Sequence, residues 1–225
     1  MTQINALDTH IINPNKTSVG SVIWMHGLGA DQHDFDTLVP YLYDANQLPL
    51  RFVFPNAPLR EVRIRPHMPV RAWYDIYSLT DLQQEDQAGI TASEQAITQL
   101  IQQEISNGVP ANRILIAGFS QGGAMALHTG MRQTQPIAGI LALSCYLPLM
   151  QAHADTVHDI NKQTPIFIAH GTHDMTLPCV AGKMAYDVVR QTHPNTEWKE
   201  YPMMGHEIAP PVVHDIRDFF TRVFG

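Results

Sequence analysis

From residue 21 onward, short apolar runs alternate with longer segments of helical periodicity, and this alternation restricts the fold more than any other feature of the chain. Ser21–Met25, Arg51–Phe54, Arg113–Phe119, Ile137–Ser144, Pro165–Ala169 and Thr196–Tyr201 read as strands. Asp34–Tyr43, Glu85–Ser106, Gln121–Arg132, Val180–Gln191 and Ile208–Val223 read as helices. The longest carries Ile90, Ile97, Leu100, Ile101 and Ile105 at helical spacing, and Asn107-Gly108 supplies its stop. Strands joined through helices need right-handed crossovers, so the expected class is α/β, a mostly parallel sheet with helices on both faces. Such a sheet binds ligands beyond the carboxyl ends of its strands. The 225 residues suit one such domain over 1–225, and no repeat, low-complexity segment or linker divides them.

Composition removes several function classes. The chain is 44% hydrophobic and 16% charged, which is ordinary for a folded globular protein. A formal charge of −7 argues against nucleic acid as a partner, because phosphate binding requires a surplus of Lys and Arg. Arg60, Arg63, Arg65 and Arg71 form a local basic cluster, which reads as a solvated loop before a binding patch. Cys145 and Cys179 lie in apolar surroundings and require no disulfide. The N-terminus lacks the basic and apolar regions of a secretory signal, and no run is long enough to span a bilayer, so a cytoplasmic location is expected.

The chemistry concentrates at Gly118-Phe119-Ser120-Gln121-Gly122-Gly123, where an apolar strand meets a helix. A serine hydroxyl is a weak nucleophile until a base takes its proton and a set of donors stabilises the oxyanion formed on attack. In the G-x-S-x-G pattern a sharp turn lifts the serine above the sheet, and the glycines let strand and helix approach closely. Ser120 is therefore the expected nucleophile. Its partners should follow in the order acid, then histidine. Asp174 lies just past the strand ending at Ala169, and His206 just past the strand ending at Tyr201, so both fall on the same sheet edge as Ser120. Asp174 would orient the imidazole, and His206 would act as general base and then general acid.

His173 is the rival base, but a residue adjacent to Asp174 cannot easily bridge that carboxylate to Ser120. His170, His173, Asp174 and His206 can alternatively be read as ligands of a metal-dependent hydrolase. The chain has no H-E-x-x-H and neither cysteine stands at a zinc-ligand spacing, so neither a metal nor another cofactor is expected. The backbone amides of Gln121 and of Leu28, in His26-Gly27-Leu28-Gly29, are the expected oxyanion donors.

The stretches "WMHGLGADQHDF", "FPNAPLR", "RAWYDI", "QEDQAGI", "NRILIAGFSQGGAMAL", "ALSCYLPL", "HGTHDMTLP" and "YPMMGHEI" run in order over nearly the whole chain. Together they closely resemble the acyl-protein thioesterase and carboxylesterase family, the small α/β-hydrolases also called the phospholipase/carboxylesterase group. The resemblance implies the α/β-hydrolase fold, the same Ser120, Asp174 and His206, and the same oxyanion donors Leu28 and Gln121. It also implies hydrolysis of carboxylic esters, and in some members of thioesters, acylated proteins or lysophospholipids. Tyr146 stands where the family often has Trp. Trp73, Ile76, Leu79, Tyr146 and Leu177 are the candidate acyl contacts.

The expected activity is hydrolysis of short- to medium-chain acyl esters. A non-catalytic acyl-binding protein and a peptidase are the competing readings, and a homodimer is left open. Only Tyr146 to Thr164 separates two strands at the point where larger lipases insert a cap, so no cap domain is expected. Any cover must come from Asn56–Gln84, whose Pro58, Pro66 and Pro69, with Pro55 just before it, predict a stiff, irregular loop.

Overall fold

The computed structural model describes residues 6–14, 16–44, 47–78 and 84–225. Its strands are β1 (Thr9–Ile12), β2 (Gly20–Met25), β3 (Leu50–Pro55), β4 (Leu59–Val62), β5 (Arg65–Arg71), β6 (Ile114–Phe119), β7 (Gly139–Leu143), β8 (Ile166–Gly171) and β9 (Thr196–Tyr201). The helices are α1 (Val39–Leu42), α2 (Gln87–Ser106), α3 (Gln121–Gly130), α4 (His153–Thr156), α5 (Cys179–Thr192) and α6 (Pro210–Phe224). Seven strands form one sheet in the order β1-β3-β2-β6-β7-β8-β9, parallel throughout except for β1 against β3.

This architecture follows from which strands are covered. β2, β7 and β8 are buried at every residue, which is why they read as continuous apolar runs. β9 lies at the edge, with Glu197, Lys199 and Glu200 exposed and Thr196 and Tyr201 buried. Buried residues of α2, α3 and α5 pack on one face of the sheet, and those of α1 and α6 on the other. One buried carboxylate ties a helix to the sheet: Glu104 of α2 accepts from Ser21 Oγ at 2.6 Å and from Arg51 Nε at 2.9 Å. Removing Arg51 would leave that charge buried without a cation, which is the costly case for a buried ion pair.

Three expectations change. The segment from Asp34 to Leu38 is a succession of turns, with amides of Asp34, Asp36 and Leu38 bonded three residues back, and the helix begins only at Val39, where Pro40 suits a first turn. Edge strand β1 has no counterpart in the sequence reading. Within Asn56–Gln84, expected to be an irregular loop, the described residues form the antiparallel hairpin β4–β5, with a register shift between Arg60 and Val62. Pro66 and Pro69 are tolerated in β5 because it pairs on one side only, leaving the other without a ladder to interrupt. Between Tyr146 and Thr164 there are only short helical turns, so no cap domain covers the sheet, and among the described residues no helix is long and apolar enough to cross a membrane.

Candidate active site

Ser120 occupies the corner between β6 and α3 with φ 55° and ψ −122°, a left-handed strained conformation that lifts the side chain off both elements. The neighbouring glycines are steric necessities. A Cβ on Gly118 would fall 2.1 Å from the Gly122 carbonyl oxygen, and one on Gly122 would fall 2.2 Å from the Met25 carbonyl oxygen. The Ser120 amide donates to Leu143 O at 2.8 Å, holding the corner to β7.

His206 Nε2 lies 2.9 Å from Ser120 Oγ, and His206 Nδ1 lies 2.6 Å from Asp174 Oδ2. Residues 54 and 86 positions from the serine are thus joined to it in one hydrogen-bonded line. The loops carrying them are fixed to each other: Thr172 N donates to Tyr201 O at 3.0 Å, and His173 N to Met204 O at 2.9 Å. Asp174 is buried, and its Oδ1 accepts from the amides of Thr176 at 2.9 Å and Leu177 at 2.8 Å. Together with His206 and one further ring, these amides put four hydrogen-bond partners on one carboxylate and hold it aimed at His206.

The fourth donor is His170, which the sequence reading had only among alternative metal ligands. It is fully buried, and its Nε2 lies 3.1 Å from Asp174 Oδ2 and 2.8 Å from Leu177 O. Both neighbours are acceptors, so Nε2 carries the proton. Burial lowers the pKa of His170, which keeps the ring neutral. His173 is turned away, with Nδ1 against Thr172 Oγ1 at 3.0 Å, so the four residues of the metal reading do not converge on one point.

The early loop is held with similar thoroughness. His26 Nδ1 donates to Gly27 O at 2.7 Å while its Nε2 accepts from the Ala57 amide at 3.0 Å, and burial lowers its pKa. Among the described residues the amides of Leu28 and Gln121 have no acceptor, and both residues line the cavity beside Ser120. The Gln121 side chain, which the sequence reading did not use, is buried: its Oε1 accepts from Trp73 N at 2.9 Å and its Nε2 donates to Tyr74 O at 2.8 Å.

The cavity has a volume of about 370 Å³ and opens onto Ser120 and His206. Tyr146, Ile76 and Leu177 line it, joined by Ile64 and Arg65 of the hairpin, which were not among the candidates. Trp73 does not line it. That ring is fully buried below, donating from Nε1 to His26 O at 2.9 Å, so it braces the early loop instead of meeting an acyl chain. Leu79 lies outside the described residues. Tyr146 shares a 2.8 Å hydrogen bond with Tyr74, and burial raises the pKa of both phenols, so both remain protonated.

A phospholipase/carboxylesterase family profile matches residues 7–224. The chain is 38% identical over 210 residues to acyl-protein thioesterase 1 of Neurospora crassa, covering 90% of this chain and 86% of that one. It is 35% identical over 210 residues to acyl-protein thioesterase 1 of Gibberella zeae, covering 90% and 89%. In structure it is similar to Arabidopsis thaliana SOBER1, with a TM-score of 0.85 at 24% identity over 92% of this chain and 99% of that one. Zea mays acyl-protein thioesterase 2 gives a TM-score of 0.80 at 23% identity, covering 97% and 99%. The chain therefore belongs to the phospholipase/carboxylesterase family, has the α/β-hydrolase fold of that group, and is a carboxylic ester hydrolase.

Proposed function

We propose that the chain hydrolyses short- to medium-chain acyl esters, together with acyl thioesters or lysophospholipids, through an acyl-enzyme intermediate on Ser120. The observation that carries this reading is the unbroken line from Ser120 Oγ through His206 to Asp174. His206 Nε2 removes the Ser120 proton as Oγ attacks the carbonyl carbon, and Asp174 stabilises the imidazolium that forms. The amides of Leu28 and Gln121 receive the oxyanion. His206 then protonates the departing alcohol or thiol, and water activated by the same ring releases the acid. The acyl chain lies along Ile64, Ile76, Tyr146 and Leu177, gaining about 0.8 kcal/mol for each methylene buried.

The thioester substrate is favoured by the names of the Neurospora crassa and Gibberella zeae relatives. Two free cysteines suit action in a reducing cytoplasm. The test offers one preparation a p-nitrophenyl ester series, an octanoyl-cysteine thioester, a lysophospholipid and a peptide anilide. Turnover of the esters and of at least one of the thioester and lysophospholipid, with none of the anilide, is expected. Binding of acyl compounds without turnover would instead make the chain a non-catalytic acyl carrier.

A further inference from the structure

Among the described residues, two groups bring at least three potential metal-ligand atoms within 4.8 Å of one another: His10, His33 and Asp36, and His214, Asp215 and Asp218. In the second group, Asp215 is occupied by Tyr201 Oη and by Lys199 Nζ at 2.6 Å, and only one imidazole is present. The first group is different. Two imidazoles from separate parts of the chain, one on β1 and one in the turns before α1, converge on a single carboxylate.

We propose that His10, His33 and Asp36 bind a divalent transition-metal ion of the Zn²⁺ class. The distances fit. Two ligand atoms each about 2.0–2.1 Å from a tetrahedral ion are about 3.3–3.4 Å apart. His10 Nε2 lies 3.2 Å from Asp36 Oδ1, and His33 Nδ1 lies 2.9 Å from Asp36 Oδ2. Hydrogen bonding alone leaves the cluster unsatisfied, since Asp36 Oδ1 is buried and makes no hydrogen bond despite its proximity to His10. An ion needs no N–H direction and would give Asp36 Oδ1 the partner it lacks.

A second shell is also in place. A metal-bound imidazole normally donates its remaining N–H to an oxygen, which fixes the tautomer and raises ligand basicity. The Gln32 amide lies against His33 Nε2 at 3.3 Å, and its own Oε1 is buried without a partner. A half-turn of that amide brings Oε1 onto Nε2, fixing the proton there and leaving Nδ1 as a free ligand. Gln32 is itself anchored by its backbone amide to Asn56 Oδ1 at 3.0 Å. The His10 ring is stacked on Phe54, with centroids 6.3 Å apart and planes 20° apart, which holds its orientation. Side-chain exposures of 30% for His10, 54% for His33 and 36% for Asp36 leave an entry path and a fourth position for water.

The ion would tie two pieces of chain together. His33 and Asp36 flank Asp34, which lines the cavity, and follow Leu28 in the same loop, whereas His10 belongs to the sheet edge. The site touches no reacting atom, so it acts by stapling the wall of the cavity to the sheet. Its existence does not depend on the assignment of Ser120.

The test is calorimetric titration of ZnCl₂ into chelator-treated full-length protein, with the Co²⁺ electronic spectrum as a second readout. One ion per chain is expected, with a Kd on the order of 1 µM and a tetrahedral Co²⁺ spectrum. At a hundredfold excess over Kd, melting should rise by about 5–10 °C. His10→Ala and His33→Ala should each remove the high-affinity ion and the melting shift, while melting in chelator stays near wild type because neither side chain is fully buried. Gln32→Leu should weaken binding by roughly tenfold or more, and His214→Ala should leave it unchanged. Binding that survives both His10→Ala and His33→Ala, that is lost in His214→Ala, or that is weaker than about 100 µM in the wild type overturns the proposal.

Discussion

The Ser120 corner and the β4–β5 hairpin line the same cavity, yet they are held in different ways. At the corner, Gly118 and Gly122 leave no room for a Cβ, Gln121 is bonded at both ends of its amide, and neighbouring carbonyls close on each other's backbones. On the hairpin, Leu59 and Met68 are exposed, and Arg63 pairs with Asp75 at 3.3 Å from an arginine side chain that is mostly in solvent. Among the described residues Arg65 has no ion-pair partner at all. On the proposed reading, the chemistry that requires close positioning falls to the tightly constrained corner, while acyl recognition is shared with a more exposed wall.

The comparison is tested most severely at the rigid side. His206→Ala should lower turnover by on the order of 10⁴ or more, with His173→Ala close to wild type, because only His206 bridges Asp174 and Ser120. Steady-state kinetics on a p-nitrophenyl ester checks both; equal losses would remove the distinction. Gly122→Ala should cost roughly 3 kcal/mol or more of stability, measured by denaturant unfolding, since the new methyl meets the Met25 and His26 carbonyl oxygens. Gln121→Ala leaves the Trp73 amide and the Tyr74 carbonyl without partners, which should cost about 2–4 kcal/mol and lower melting by about 5–10 °C. Arg65→Ala, on the tolerant side, should stay within about 0.5 kcal/mol of wild type and alter KM more than kcat. A hairpin substitution as costly as Gln121→Ala would erase the contrast.

Acid should also act on the interior. Burial lowers the pKa of His153 and of His193 from 6.5 to about 4 each, and Thr192 Oγ1 bonds to both rings at 2.9 Å. The unfolded chain therefore binds more protons than the folded one between these values, so stability should fall as pH drops from 6.5 towards 4. Urea titrations at stepped pH measure this, and the slope should flatten when both residues are replaced by Gln.

The same contrast decides what was legible in the sequence. The corner at Ser120 was readable because its geometry is local: a strand, a turn flanked by glycines, and a helix. The placement of Asp174 and His206 beside Ser120 was readable because parallel strands deliver their carboxyl ends to one edge. The hairpin was not, because its prolines speak against a strand and its pairing arises only once the sheet exists. The parts played by His170, by the Gln121 side chain and by Trp73 were hidden for a related reason. Each depends on which buried partner the fold supplies, and periodicity carries no record of hydrogen-bond partners. A signal for His170 was present all the same: a histidine at the end of a buried strand, four residues before an acid on the same edge.

The central claim is that Ser120 forms the acyl-enzyme. Treatment of the intact protein with a fluorophosphonate, followed by peptide mass spectrometry, tests it most directly. One adduct per chain should form, on the peptide containing Ser120, in step with loss of esterase activity, and Ser120→Ala should acquire no label while melting close to wild type. Labelling that persists in Ser120→Ala, or esterase turnover that survives complete modification of Ser120, would contradict the account.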